Sequence, residues 1–191
     1  MEYITPIVTP TVFLDRDGVI NKDKGVYITS WNQFEFLPGF LDVIREFTER
    51  GFKIIIVTNQ PQIERKMLEE SELDYIHYNM GFEIMKSGGK IDGIYYCPHS
   101  SNKCECRKPK SGMLLKAKKE HNIDFKNSII IGNSWKDMNA GSNVGCTTCF
   151  LIDRLTDLHK CDKEPDFCIA DIYQAKDLIP AFFNTLNVER E

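Results

Sequence analysis

Apolar positions along the chain come in short unbroken runs, separated by longer stretches where they recur every three or four residues. The runs FKIIIV at 52–57 and SIII at 128–131 are the clearest. Nearly every position in them suits burial, the pattern of a strand covered on both faces. Similar runs predict strands over 7–14, allowing for an interruption at Pro10, over 91–96 and over 147–152. Helical spacing fills the gaps. Phe40, Val43, Ile44 and Phe47 share one helical face within 39–50, which Gly51 closes. A longer helix is predicted over 67–85, another over Gly112–His121, and a short one through Met138. A last helix over 174–183 should kink at Pro180. Strands alternating with helices predict an α/β fold on a parallel sheet with crossover connections. Neither an internal repeat nor a low-complexity tract interrupts the pattern. One irregular segment, about 97–110, is long enough to call for a reason.

Composition narrows the class without naming a chemistry. The 191 residues suit a single domain over 1–191, and 42% hydrophobic with 27% charged residues is ordinary for a soluble globular chain. A net charge of -4 supplies no broad basic field, so a nucleic-acid partner is not expected. No apolar run approaches the ~20 residues that span a bilayer. The start of the chain, 1–6, lacks the basic and apolar stretches of a signal peptide. The expectation is a cytoplasmic monomer with no membrane partner. Seven cysteines, an odd number without an export signal, argue against a disulfide framework. Cys146 and Cys149 form a C-x-x-C that runs into an apolar strand and reads as packing. His77, His121 and His159 have no ligating company and read as ordinary surface or packing residues.

Polar residues cluster where the predicted strands end, which is where open α/β sheets bind ligands. Asp15 and Asp17 follow the first strand, with Gly18 allowing a sharp turn. One carboxylate there can attack phosphorus while the other protonates the leaving oxygen and later deprotonates water. Two anions facing a phosphate need an intervening cation, so Mg²⁺ is expected. Thr58, Asn59 and Gln60 follow the second strand and can hydrogen-bond phosphate oxygens without adding charge. Arg107 and Lys108 offer cations for the transferring group. Asn133 and Asp137, after the fourth strand, can complete the Mg²⁺ shell. Each piece has a plainer reading as a turn or a solvated loop.

Within the irregular segment, Cys97, His99, Cys104 and Cys106 put three thiols and an imidazole inside ten residues. That set suits a tetrahedral structural Zn²⁺ that staples the loop and presents Arg107 and Lys108 at a fixed angle.

These elements in this order, each at a strand end, resemble the haloacid dehalogenase-like (HAD) phosphatases over roughly 11–155. The resemblance implies a Rossmann-like parallel sheet flanked by helices, with a zinc-bound loop and no large cap domain. It implies Asp15 as nucleophile and Mg²⁺ ligand, and Asp17 as general acid/base with its backbone carbonyl on the metal. Thr58 and Lys108 would hold the transferring phosphate. The zinc-bearing loop before Arg107-Lys108-Pro109 is similar to a subgroup acting on heptose 1,7-bisphosphate or histidinol phosphate. The stretches 15–21, 93–99 and 107–115 resemble the heptose-bisphosphate branch more closely, and Arg65 matches an arginine of that branch. The implied partner is a small sugar phosphate, in the supply of nucleotide-activated heptose; a bisphosphate would need a second anion site, for which Arg65 and Arg107 are the candidates because guanidinium grips phosphate bidentately. Two departures stand out. Pro61-Gln62 replaces the usual Ser-Gly, and Asn133 stands where that branch has a Mg²⁺-binding Asp. A histidinol-phosphate phosphatase, or a catalytically weakened phosphate-binding protein on the same scaffold, are the alternatives.

Overall fold

The computed structural model describes residues 9–101, 103–152 and 155–188. Six parallel strands form one sheet in the order β3-β2-β1-β4-β5-β6, with β1 Thr11–Leu14, β2 Lys53–Asn59, β3 Gly93–Cys97, β4 Ser128–Gly132, β5 Thr147–Leu151 and β6 Phe167–Ile169. Four helices connect successive strands, α1 Phe40–Glu49, α2 Glu70–Lys86, α3 Gly112–His121 and α4 Trp135–Ser142, and α5 Ala175–Val188 follows β6.

Alternation along the central strands explains their unbroken apolar runs. Val12, Leu14, Ile54, Ile56, Ile129 and Ile131 point to one face, where they meet Phe40, Val43, Ile44 and Phe47 of α1 and Ile179 and Phe183 of α5. Phe13, Ile55, Val57 and Ile130 point to the other, against Met113, Leu114 and Ala117 of α3 and Ala140 of α4. A sheet packed on both faces leaves no side for polar residues, so the strands read as continuous hydrophobic stretches.

Several expectations shift at their edges. The first strand begins at Thr11, because Pro10 lacks the N–H that a ladder needs; its carbonyl still accepts from Lys53 N at 2.9 Å. Residues 7 and 8 of the expected strand lie outside the described residues. Helix α2 begins at Glu70, three residues late, after a run of turns in which Lys66 takes a left-handed φ of 56°. Helices α4 and α5 run on to Ser142 and Val188, with Pro180 inside α5. Strand β6 was not expected at all; it is three residues long and completes the sheet edge beside β5.

The strand order sets the site. Chain direction across the sheet reverses at β1, between β2 and β4, and the crevice beyond the carboxyl ends of β1 and β4 is where such sheets take ligands. Leu14 is in register with Ile56 and Ile131, so the residues after all three strands emerge side by side. Among the described residues no separate cap domain is inserted between these elements.

Candidate active site

Asp15 leaves β1 still tied to the sheet, its N–H donating to Ile131 O at 3.0 Å. Its carboxylate lies 2.9 Å from the Nζ of Lys108, whose ammonium also meets Asp137 and donates to Val57 O at 2.7 Å. Lys108 and Asp137 are nearly sealed, at 2% and 1% side-chain exposure. Burial works against charge on Lys108, yet Asp137 and Asp15 outweigh it and hold the ammonium above its ordinary range. Asn59 fixes this lysine by a reciprocal pair: its amide donates to Lys108 O at 3.0 Å and accepts from Lys108 N at 3.1 Å. Asp137 is held from its other side by the N–H of Ser134, in the capping box that starts α4. Gly132 permits that approach, since a Cβ there would come within 2.2 Å of Asp137 Cβ.

Burial pushes the Asp15 carboxyl up to about 7; Lys108 opposes the rise, and Asp137 and Asp17 add to it. Three carboxylates (Asp15, Asp17, Asp137) share this corner with two cations (Lys108, Arg16). Negative charge is in excess, and the donors are hard oxygens. That is the donor set a Mg²⁺ ion takes. Asn133 packs closely on the turn after Asp17: a Cβ on Gly18, at φ 88°, would lie 1.9 Å from its amide nitrogen. Only glycine serves at that position.

Asp17 is gripped on both oxygens. The guanidinium of Arg16 donates to it at 2.9 to 3.2 Å, Asn21 at 3.0 Å and Gln60 at 3.0 Å. Burial raises its pKa, but Arg16 and the amide donors outweigh this and hold the carboxyl below its ordinary value. Gln60 also donates to Thr58 Oγ1 at 2.8 Å, so one amide links the two residues. The buried Gln62 in turn donates to Gln60 Oε1. The departure at 61–62 thus adds an amide that orients Gln60.

A cleft of about 610 Å³ opens above this corner, lined by Asp17, Asp23, Tyr27, Asn59, Arg107 and Lys136, with Val26 and Met67 on its rim. Arg107 reaches it from the cysteine loop, its guanidinium donating to His99 O at 2.8 Å. Arg65 is turned elsewhere: it donates to the Tyr27 hydroxyl at 2.6 Å and lies 5.6 Å over that ring, tying the loop after Gln60 to the loop after Asn21. A slightly larger hollow of about 650 Å³ lies between β3 and α3, but its only acid, Glu120, is occupied by the Tyr95 hydroxyl at 2.6 Å. It lacks the paired acids and cations of the first.

Cys97, His99, Cys104 and Cys106 converge, with ligand atoms within 4.8 Å of one another. The Cys106 sulfur is 3.1 Å from Cys97, 3.4 Å from Cys104 and 3.3 Å from His99 Nδ1. Four ligands about a tetrahedral zinc, with Zn–S near 2.3 Å, would stand about 3.7 Å apart, so the cluster can close on a metal with small shifts.

Comparison with known proteins agrees with this geometry. The HAD-hydrolase-like family matches residues 105–175. The chain is 47% identical over 145 residues to the D-glycero-alpha-D-manno-heptose-1,7-bisphosphate 7-phosphatase of Campylobacter jejuni, covering 76% of this chain and 83% of that one. The chain belongs to the HAD-like phosphatases. Within the family it is also 39% identical over 146 residues to the D-glycero-beta-D-manno-heptose-1,7-bisphosphate 7-phosphatase of Escherichia coli, covering 71% and 76%. A solved D,D-heptose 1,7-bisphosphate phosphatase from B. bronchiseptica, complexed with magnesium and phosphate, superposes with a TM-score of 0.85 at 26% identity over 91% of this chain and 99% of that one. The HAD-like fold and the Rossmann-like sheet are those read from the sequence.

The structure gathers Asp15, Asp17, Thr58, Asn59, Gln60, Lys108, Asn133 and Asp137 at one corner and Arg107 at the cleft above it. Sequence reasoning passed over Arg16, His77 and Lys136. Arg16 is fully buried, and the available signal was a charged residue set between the two motif acids just past a buried strand. His77 gave none, since only the fold brings it under Arg16.

Proposed function

We propose that the protein hydrolyses the 7-phosphate of D-glycero-D-manno-heptose 1,7-bisphosphate through an aspartyl-phosphate on Asp15. The observation that carries this reading is the buried Asp15–Lys108–Asp137 arrangement at the carboxyl ends of β1 and β4, in a chain 47% identical to a heptose-bisphosphate phosphatase.

In this reading Asp15 attacks phosphorus and the bond to the sugar oxygen breaks, with Asp17 giving that oxygen its proton. Arg16 keeps Asp17 anionic in the free protein; the phosphate dianion, once bound, offsets the Arg16 charge, and Asp17 takes a proton from solvent before the leaving oxygen needs it. Water then attacks the aspartyl-phosphate, Asp17 takes the water's proton, and inorganic phosphate leaves with Asp15 restored. Thr58 and Lys108 donate to the phosphoryl oxygens throughout. Asp15, the Asp17 carbonyl and Asn133 would hold Mg²⁺, with Asp137 contributing through water or through Lys108. When bound, the ion neutralises the facing carboxylates and polarises the phosphoryl group. The cysteine cluster would hold a structural Zn²⁺ that fixes Arg107 and Lys108.

Arg107 is the candidate for the second phosphate, since it lines the cleft beside Asp17 and Asn59. Arg65 supports it at one remove, by anchoring Tyr27 at the rim. No helix among the described residues is long and apolar enough to cross a membrane. The proposed reaction takes a small sugar phosphate in the cytoplasm. The proposed working form is a monomer, which a direct mass measurement checks. The relatives' names include both anomers. The test is phosphate release with Mg²⁺ from both anomers of the heptose bisphosphate and from histidinol phosphate. Faster turnover of one heptose anomer supports the reading, and a preference for histidinol phosphate would overturn it.

A further inference from the structure

Arg16 is completely buried, yet its charge is not shared evenly. Two of its nitrogens, Nε and one terminal amino group, go to the Asp17 carboxylate at 2.9 to 3.2 Å. The other terminal amino group meets the Nε2 of His77, in α2, at 3.3 Å. A guanidinium has only hydrogens to offer, so His77 must accept through Nε2 and carry its own proton on Nδ1. Burial, and then the neighbouring Arg16 charge, holds the His77 pKa down to about 3, so the ring is neutral wherever the enzyme works. His77 is 8% exposed and packs on Tyr96 with ring centroids 6.2 Å apart, which fixes its plane.

A neutral acceptor at this place does something a carboxylate would not. An acid at position 77 would compete with Asp17 for the guanidinium and draw its charge away. Imidazole satisfies the third nitrogen without drawing that charge, so the fork stays on Asp17 at full strength. Without any acceptor, the buried amino group would be left unpaired and would swing toward another oxygen.

We infer that His77 is a positioning residue for the phosphatase reaction: it holds the Arg16 guanidinium in the orientation that fixes the Asp17 carboxyl in place. This rests on the reading of Asp17 as the general acid/base. His77 touches neither substrate nor metal, and acts only through Arg16.

The test compares His77→Phe, which keeps a ring against Tyr96 but removes the acceptor, with His77→Gln, which restores a neutral acceptor. Each is made in wild type and in Asp17→Asn, and assayed with a sugar phosphate and with p-nitrophenyl phosphate, whose leaving group needs little protonation. His77→Phe is expected to lower kcat on the sugar phosphate about tenfold, with KM within about twofold, and to matter much less for the nitrophenyl ester. His77→Gln should recover most of the loss, and in Asp17→Asn the His77→Phe change should cost less than about twofold more. Wild-type kcat in His77→Phe, or an equal loss in the Asp17→Asn background, would overturn the inference alone. An Asp17→Asn enzyme of normal activity would overturn the acid/base reading and this inference with it. Imidazole nitrogen NMR of the wild-type protein gives an answer independent of any variant's folding. The neutral Nδ1–H tautomer is expected, and an Nε2–H tautomer or a cationic ring at neutral pH would contradict the contact.

Discussion

Lys108 carries one ammonium between two carboxylates, Asp15 and Asp137, where almost no water reaches. Removing one partner of a buried charge set leaves the others uncompensated, a cost of roughly 3–5 kcal/mol. Lys108→Met should therefore lower stability by that order in the absence of divalent metal, and kcat by more than about a hundredfold. Added Mg²⁺ should return part of the stability, because it meets the same excess of negative charge. Thermal unfolding with and without Mg²⁺ checks this, and a variant as stable as wild type would mean the pair does not form. Asn133 is the other residue proposed for the metal site. Its amide would supply an oxygen there without a carboxylate's charge. Asn133→Asp should tighten Mg²⁺ binding about tenfold, or ~1.4 kcal/mol, by calorimetry. Unchanged affinity would remove Asn133 from the shell.

At the scale of elements, the cysteine loop after β3 is what holds Arg107 and Lys108 where the strands end. Arg107 follows Cys106 directly and bonds back to His99 O, so loosening the cluster loosens both cations. Stripping metal from the cluster and then resupplying Mg²⁺ alone should leave kcat low and the unfolding temperature reduced, with recovery only on adding Zn²⁺. Full activity in the zinc-free protein would confine the cluster to folding or to nothing. This loop was readable from its ligand spacing, and the central strands from their apolar runs. Strand β6 was not, because Phe167 and Ile169 give too short an alternation to register against the polar residues around them. The late start of α2 was hidden because the turns after Pro61, with the left-handed Lys66, depend on Gln62 docking beneath Gln60. The Arg16–His77 contact joins positions 61 residues apart and has no local trace. Arg65 was read as a candidate for a second anion site; its engagement by Tyr27 needed both loops in view.

For the molecule as a whole, the same buried histidine ties stability to pH. An unfolded His77 titrates near 6.5, while the folded one stays neutral until about 3. Between those values the unfolded chain binds a proton that the native state refuses. The stability from keeping His77 neutral is complete above pH 6.5 and drains away as pH falls toward 3, by at most roughly 4–5 kcal/mol. His77→Gln should flatten the acid limb of a denaturant-derived stability profile across that window, and an unchanged limb would mean the ring is not buried as described. The sheet, the crevice at its strand ends and the charges gathered there serve one central claim, that Asp15 is the nucleophile. The most direct test is rapid-quench capture of the enzyme during turnover, followed by mass-spectrometric mapping of the phosphate. The account predicts phosphate on Asp15 in the wild type and none in Asp15→Asn, which should also lose turnover. Turnover with no phosphoenzyme, or with the label on another residue, would contradict it.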